Sequence, residues 1–395
     1  MVIKSLYMNN FRNYENEKII FSDEFNYIFG NNGVGKTNIL EAMTFLSFGK
    51  SFLNSKESDC ILLGKDNFFI EGQYQNEFTN EYLLSLNYYT GKKFFSLNKE
   101  RVNGFSGNVF GKFPLVYLTP HSINITYGNP SERRKFFDII FSQINPLYLD
   151  YLKKLNKILK LKNTLLKESN LNISQFEFNK LLDSYNELMA DISAEIIYRR
   201  KLFLAEFEKY LIRNYKHLST ENELPIITYS STLNNTDTLK DSPDSQKENI
   251  KDIFKEMFDE IKSKEISRKL TLIGPHRDDY IFLLKRKTLE NKEQLIELKS
   301  FASQGEHKTF LIALKLSEYN FIKDKLGTNP ILLLDDVMSE LDPIRVKKLM
   351  SHIPNFSQVF VTSTDLNHID EFKNFLNSSV IKIFKVENNK VKSIN

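Results

Sequence analysis

Cysteine is almost absent: Cys60 stands alone among 395 residues. That excludes internal disulfides and any zinc site built from paired cysteines, and a cytoplasmic setting is the simplest expectation. Long apolar runs are missing as well. None approaches the roughly 20 residues that cross a bilayer, so no membrane partner is expected. The opening "MVIKSLYMNNFRNYENEKIIF" lacks the apolar block that directs secretion and reads as two strands with "FRNY" at or near the turn. A strong excess of one charge is lacking too. The net charge of +4 is too small to indicate a nucleic-acid partner, so the placement of charge must decide. The chain is 41% hydrophobic, enough for a core, and long enough for one large or two medium domains.

Against these absences stands "FGNNGVGKTN", Phe29 to Asn38. Gly30, then Asn31, Asn32, Gly33 and Val34, then Gly35, Lys36 and Thr37 fit the phosphate-loop spacing G-x-x-x-x-G-K-[ST]. "FNYIF" before the loop reads as a strand and "NILEAMTFLSF" after it as a helix, the context such a loop requires. Backbone N–H groups at the helix start face an anion. Lys36 is expected on the β- and γ-phosphates and the Thr37 hydroxyl on Mg2+. The loop specifies a nucleoside triphosphate and leaves open which machine uses it.

A second buried strand must supply a carboxylate for the metal, and "PILLLDDVMSELD" (330–342) fits. Ile331 to Leu334 is continuously apolar, as a parallel strand covered on both faces should be. Asp335 at its end is expected to order the metal and Asp336 to polarise the attacking water. Thr37 and Asp335 lie nearly three hundred residues apart, so something large is inserted into the ATPase. Before Asp335 stands "FASQGEHKTFLIALKLSEY", whose apolar spacing predicts a helix from near Glu306. Ser303 to Glu306 reads as a capping box, and a helix start that needs a cap also attracts an anion.

The insertion opens on "NPSERR". Asn129 is placed to cap, Pro130 suits the first helical position, and Glu132 follows. A long helical pattern then runs to about residue 169 with Pro146 as a kink or break. A second runs from about Gln175 to His217, antiparallel to the first, each on the order of 50 Å. Lys153, Lys154, Lys157 and Lys160 flank an apolar series and face outward. Arg199, Arg200 and Lys201 form another basic cluster. "LNNTDTLKDSPDSQKEN" (233–249) reads as a mobile surface loop.

Five motifs stand in one order: "FRNY" with "GNNGVGKTNILEA", then "PHSINITYGNPSERRKFFD", "GPHRDD", "SQGEHKT" and "LLLDDVMSELD". Together they resemble the RecF family of the ABC/SMC ATPases over nearly the whole length. Departures include His121 after the motif proline, Gly128-Asn129-Pro130, and Glu306-His307 within the signature. The resemblance implies an α/β fold: an ABC-type ATPase head with a mixed sheet, formed by residues 1–128 and 269–395, carrying a helical arm over 129–268. It implies ATP and Mg2+ as cofactors, nucleotide contacts from Gly30 through Asn38 and from Arg12, and Asn38 as a mark of the SMC-like branch. Ser303, Gln304 and Gly305 would contact the nucleotide held by a second copy, making an ATP-dependent homodimer. Asp336 stands where many ABC ATPases carry glutamate, and Ser363 or Thr364 where many carry histidine, which suits slow hydrolysis. DNA at single-strand gaps or stalled forks, with RecR and RecO, to help load RecA, is the implied work. Lys153, Lys154, Lys157, Lys160, Arg199 and Arg200 are the candidate DNA contacts. A transporter ATPase subunit and a P-loop small-molecule kinase are the alternatives.

Overall fold

The computed structural model describes residues 1–53, 55–167, 174–219, 223–233, 242–287, 293–367, 369–375 and 381–394. Contacts divide the chain into two units. One holds Met1–Ile123, Asn214–Thr220 and Gln304–Asn395; the other holds Asn124–Arg213 and Glu221–Ser303.

In the first unit, β1 (Val2–Phe11) and β2 (Tyr14–Ile20) pair antiparallel as the expected hairpin. Arg12 sits at the turn with φ 56°. β3 (Phe25–Phe29) is buried over four of its five residues and leads through the phosphate loop into α1 (Lys36–Phe48). β4 (Asn67–Gln75), β5 (Glu81–Tyr89), β6 (Lys92–Leu97) and β7 (Glu100–Arg101) extend the hairpin into an antiparallel sheet of order β2-β1-β4-β5-β6-β7. β8 (Leu115–Leu118) follows and belongs to a second sheet.

The chain then forms the second unit. α2 (Pro130–Ile144), α3 (Pro146–Lys167), α4 (Gln175–Leu218) and α5 (Pro243–Arg268) are its long helices, although the end of α4 belongs to the first unit. β9 (Leu224–Ser230), β10 (Asp279–Lys287) and β11 (Glu293–Glu297) make an antiparallel sheet of order β11-β10-β9. After α6 (Gln304–Leu326), β12 (Ile331–Asp335), α7 (Pro343–His352), β13 (Gln358–Ser363), β14 (Ile381–Glu387) and β15 (Lys390–Ser393) return to the first unit. Its second sheet has the order β15-β14-β3-β13-β12-β8, parallel from β14 to β8. All five residues of β12 and all six of β13 are buried, as central strands covered on both faces require. The phosphate loop and Asp335 both lie at the C-terminal ends of these strands, where open α/β sheets bind ligands.

Three details of the insertion differ from expectation. At Pro146 the expected kink or break is a break, one helix ending at Ile144 and the next starting at Pro146, but the arm helices are unequal: α3 has 22 residues and α4 has 44, roughly 33 and 66 Å at 1.5 Å per residue. The Asn129 side chain makes no cap bond, although Pro130 does take the first helical position. Much of the expected loop 233–249 is helix. Residues 234–241 lie outside the described residues, but Ser242 accepts from the Ser245 N–H and Pro243 begins the 26-residue α5. A cap, an N-terminal proline and an acid mark this helix start, although the same residue types make up polar loops. The tip 170–173 lies outside the described residues; beside it Ser174 and Glu177 form a reciprocal capping box that starts α4. No described helix is long and apolar enough to cross a membrane.

Candidate nucleotide site

The phosphate loop is held by the hairpin that precedes it. Asn13 Nδ2 donates to the Val34 carbonyl at 2.9 Å, and its Oδ1 accepts from Asn38 Nδ2 at 2.8 Å. The Tyr14 hydroxyl donates to the Gly35 carbonyl at 3.1 Å. Gly35 has φ 108°, and a Cβ there would stand 2.6 Å from Asn13 Nδ2, so backbone conformation and this clamp both require glycine. Asn13 and Tyr14 were visible only as part of "FRNY". Their work depends on a tertiary contact that no spacing announces.

Lys36 is 7% exposed. Its Nζ donates to the carbonyls of Gly30 at 2.6 Å and Asn31 at 2.9 Å. Burial lowers its pKa, opposed by the charges of Asp336 and Asp335. The Thr37 hydroxyl lies 3.0 Å from both carboxylate oxygens of Asp335, and Thr362 Oγ1 donates to the same carboxylate at 2.7 Å. Burial raises the Asp335 pKa, while those two hydroxyls oppose the rise. Asp336 turns through a left-handed φ of 48° and gives its N–H to Thr362 Oγ1 at 2.9 Å. A cavity of about 160 Å³ lies between Gly33, Lys36 and Thr37 on one side and Asp335, Asp336 and Thr362 on the other.

These groups fit their expected ligands. A buried ammonium beside loop N–H groups suits phosphate. A hydroxyl and a carboxylate within 3.0 Å of one another offer the hard oxygen donors that Mg2+ takes together with phosphate oxygens. Among the described residues no group of three or more His, Cys, Asp or Glu could hold a metal ion, so a metal here would share its shell with the nucleotide.

Two expected contacts fall elsewhere. The Arg12 guanidinium grips Glu41 of α1 through Nε at 2.7 Å and Nη2 at 2.6 Å, and reaches Ser55 Oγ and the Asp59 carbonyl. It does not line the cavity; it anchors the helix that the loop starts, with Ser51 completing the Glu41 carboxylate. Ser363 is buried, its hydroxyl set against Tyr27. Strand alternation turns Thr362, one residue earlier, onto the cavity wall instead.

The signature segment is built into the same unit from Gln304 onward. α6 begins at Gln304, two residues before the expected start. A Cβ on Gly305 would lie 2.7 Å from an Arg345 Nη, so the glycine admits that guanidinium. Arg345 donates to Thr309 Oγ1 at 2.9 Å and pairs with Asp342, which caps α7 by accepting the Arg345 N–H. The helix start is thereby tied to the segment that follows Asp336.

The basic candidates belong to the second unit. Lys153, Lys154, Lys157 and Lys160 are all exposed on α3. Arg199 pairs with Glu195 at 3.1 Å and lies over the Tyr151 ring. Arg200 is 1% exposed and bonds Asp138 at 3.0 and 3.2 Å, the Pro275 carbonyl at 2.8 Å, Asp278 at 3.3 Å and the Tyr148 hydroxyl. It is withdrawn as a DNA contact, because every face of its guanidinium is engaged inside the unit.

The strand-end phosphate loop, the facing aspartates and the helix-borne signature define an ABC-type ATPase head. The AAA ATPase domain family matches residues 1–358. The DNA replication and repair protein RecF of Chloroherpeton thalassium is 36% identical over 94% of this chain and 97% of its own length. That of Clostridium botulinum is 32% identical over the whole of both chains. Among solved structures, the RecF-ATPrS form of the recombination mediator protein RecF in the RecFOR pathway superposes with a TM-score of 0.84 at 29% identity, covering 100% and 98% of the two chains. The Smc head domain of Pyrococcus furiosus shares the fold at a TM-score of 0.55 and 17% identity, covering 100% of this chain and 96% of its own. The chain belongs to the RecF family of DNA replication and repair proteins.

Proposed function

We propose that this chain binds ATP with Mg2+, dimerises around two nucleotides, and holds DNA as a recombination mediator in the cytoplasm. The observation that carries the reading is the buried Lys36 facing the Thr37–Asp335 pair across a cavity of phosphate size. Lys36 and the loop N–H groups hold the β- and γ-phosphates; Thr37 and Asp335 hold the metal, which neutralises phosphate charge. Asp336, on the cavity wall, polarises the attacking water. Its carboxylate is one methylene shorter than glutamate, and a displacement of about 1 Å costs roughly a hundredfold in rate. Turnover is therefore well below about 10 per second, and the dimer serves as a slow clamp. Ser303, Gln304 and Gly305 meet the γ-phosphate of the second copy. Lys153 and Lys160 supply DNA backbone contacts, joined by Arg199 where its pair with Glu195 opens. Gapped or forked DNA, RecR and RecO, and the loading of RecA are the setting that family membership supports.

The test is sizing of the wild type and Ser303→Arg with ATP and Mg2+, with and without gapped duplex. The wild type is expected to dimerise on ATP and to shift further with DNA. Ser303→Arg is expected to bind ATP as a monomer and form no dimer. Equal loss of monomeric ATP binding would place the segment in its own subunit's site.

A further inference from the structure

The second unit carries a groove that the nucleotide site does not use. About 870 Å³ of space lies along α3, α4 and the first turns of α5. Its floor is apolar, with Ile158 and Leu161 from α3 and Tyr185, Leu188 and Ile192 from α4. Leu161 and Leu188 remain 43% and 49% exposed. Along α4, Leu181, Leu188, Glu195 and Leu202 recur every seventh residue, with Tyr185, Ile192 and Arg199 four residues after the first three. That is the spacing with which one helix presents a seam to another. Leu181 and Leu202, each 41% exposed, carry the seam past both ends of the groove.

The two walls differ in charge. Towards α5, Lys247 pairs with Glu195 at 3.1 Å and with Asp244 at 3.5 Å, and Lys251 with Asp191 at 2.8 Å. On the α3 rim, Lys154 and Lys157 make no ion pair among the described residues, and Lys154 lies over the Tyr151 ring at 5.4 Å. Lys153 and Lys160 stand beside them on the outer face of the same helix. With Glu248 also on it, the α5 side sets four carboxylates against two lysines and is acidic, whereas the α3 rim is positive.

We infer that the groove receives an amphipathic α-helix of a partner protein, aliphatic where it enters and acidic along the flank that lies against α3. A DNA backbone would answer the lysines and leave the exposed Leu161 and Leu188 without purpose. A helix with leucines at heptad spacing fills the floor, and its acidic flank pairs with Lys154 and Lys157, the helix-in-groove mode of recognition. The inference stands apart from the nucleotide site and does not depend on it.

The test titrates the full chain with three labelled three-heptad peptides. One has leucine on the seam and glutamate along one flank, one has lysine along that flank, and one has serine on the seam. The acidic leucine peptide is expected to bind at least about tenfold more tightly than either other peptide. Leu161→Ser with Leu188→Ser is expected to weaken it by about tenfold or more, with ATP affinity unchanged as the check on folding. Lys154→Glu with Lys157→Glu is expected to reverse the preference between acidic and basic flanks, which a merely structural role would not do. Indifference to flank charge, or full binding by the double serine variant, would overturn the inference. So would displacement of the peptide by duplex DNA whose own binding falls equally in the serine variant, because DNA would then occupy the groove. An ATP-independent dimer dissolved by the same variant would overturn it in favour of a second copy of the chain.

Discussion

Lys36 and Arg200 are both buried cations, 7% and 1% exposed, in different units and in opposite circumstances. Lys36 bonds two loop carbonyls, which carry no formal charge, and faces a cavity with Asp335 and Asp336 across it. Arg200 is closed in by Asp138 and Asp278, a carbonyl and the Tyr148 hydroxyl. A buried charge left facing space is poised for a ligand, whereas one surrounded by counter-charge fixes architecture. Both read in sequence as contacts for phosphate, Lys36 in its loop and Arg200 in a basic cluster, so residue type alone does not separate them.

The contrast is broken most sharply at Arg200. Arg200→Met strands two carboxylates, Asp278 fully buried among them, and removing one partner of a buried pair costs about 3–5 kcal/mol. Urea unfolding is expected to show that loss, while the molecules still folded retain their ATP affinity. A loss below about 1 kcal/mol would mean that the cluster does not organise its unit.

Lys36→Met is expected to do the reverse. Bonds to charged groups contribute about 1.5–3 kcal/mol each, so ATP affinity should fall by about a hundredfold while urea stability holds. Calorimetric titration checks it, and near-native affinity would remove Lys36 from the phosphate site. Asp336→Asn keeps the shape of the site and removes the candidate base. Hydrolysis is expected to fall by about a hundredfold or more with nucleotide affinity unchanged, and an ATP-bound dimer should persist on DNA. Unaltered turnover would acquit Asp336.

The smallest effect is a dependence on pH. Burial raises the Asp335 pKa in the folded protein, so the native state binds the proton more tightly than the unfolded chain does. Stability of the nucleotide-free protein therefore falls as pH rises from the unfolded carboxylate value through the raised native one, and stays lower above it. Asp335→Asn is expected to be more stable than wild type at neutral pH without nucleotide, the difference shrinking as pH falls, and to lose Mg2+-dependent ATP binding. Equal stability across that range would mean that the site places no strain on the fold.

Much of the head was legible because its signals are local. A glycine spacing, an apolar run ending in two aspartates and a hairpin turn each announce themselves within a dozen residues. What is not legible is which way a side chain turns once the sheet is built. Thr362 and Ser363 are adjacent on β13 and only one reaches the cavity. Arg12 has Glu41 within reach only after α1 packs against the hairpin. Arg199 and Arg200 look alike in a row, yet α4 turns one to the surface and the other inward. The start of α5 hid in a polar, serine-rich stretch because cap residues and loop residues are the same amino acids.

The place of β3 in its sheet also sets when the site can exist. β3 carries the phosphate loop and is among the first strands to be synthesised, yet its hydrogen-bond neighbours are β13 and β14. The hairpin that clamps the loop is itself tied to Gln358, whose side chain bonds both the N–H and the carbonyl of Ile3. A growing chain thus makes its nucleotide motif well before β13 and β14 and must hold it unfinished until they emerge. Pairings so distant along the chain form late and slowly. Nucleotide binding is consequently a report that distant strands have joined: a chain stopped short of Gln358 carries every phosphate-loop residue and lacks both strands that flank β3.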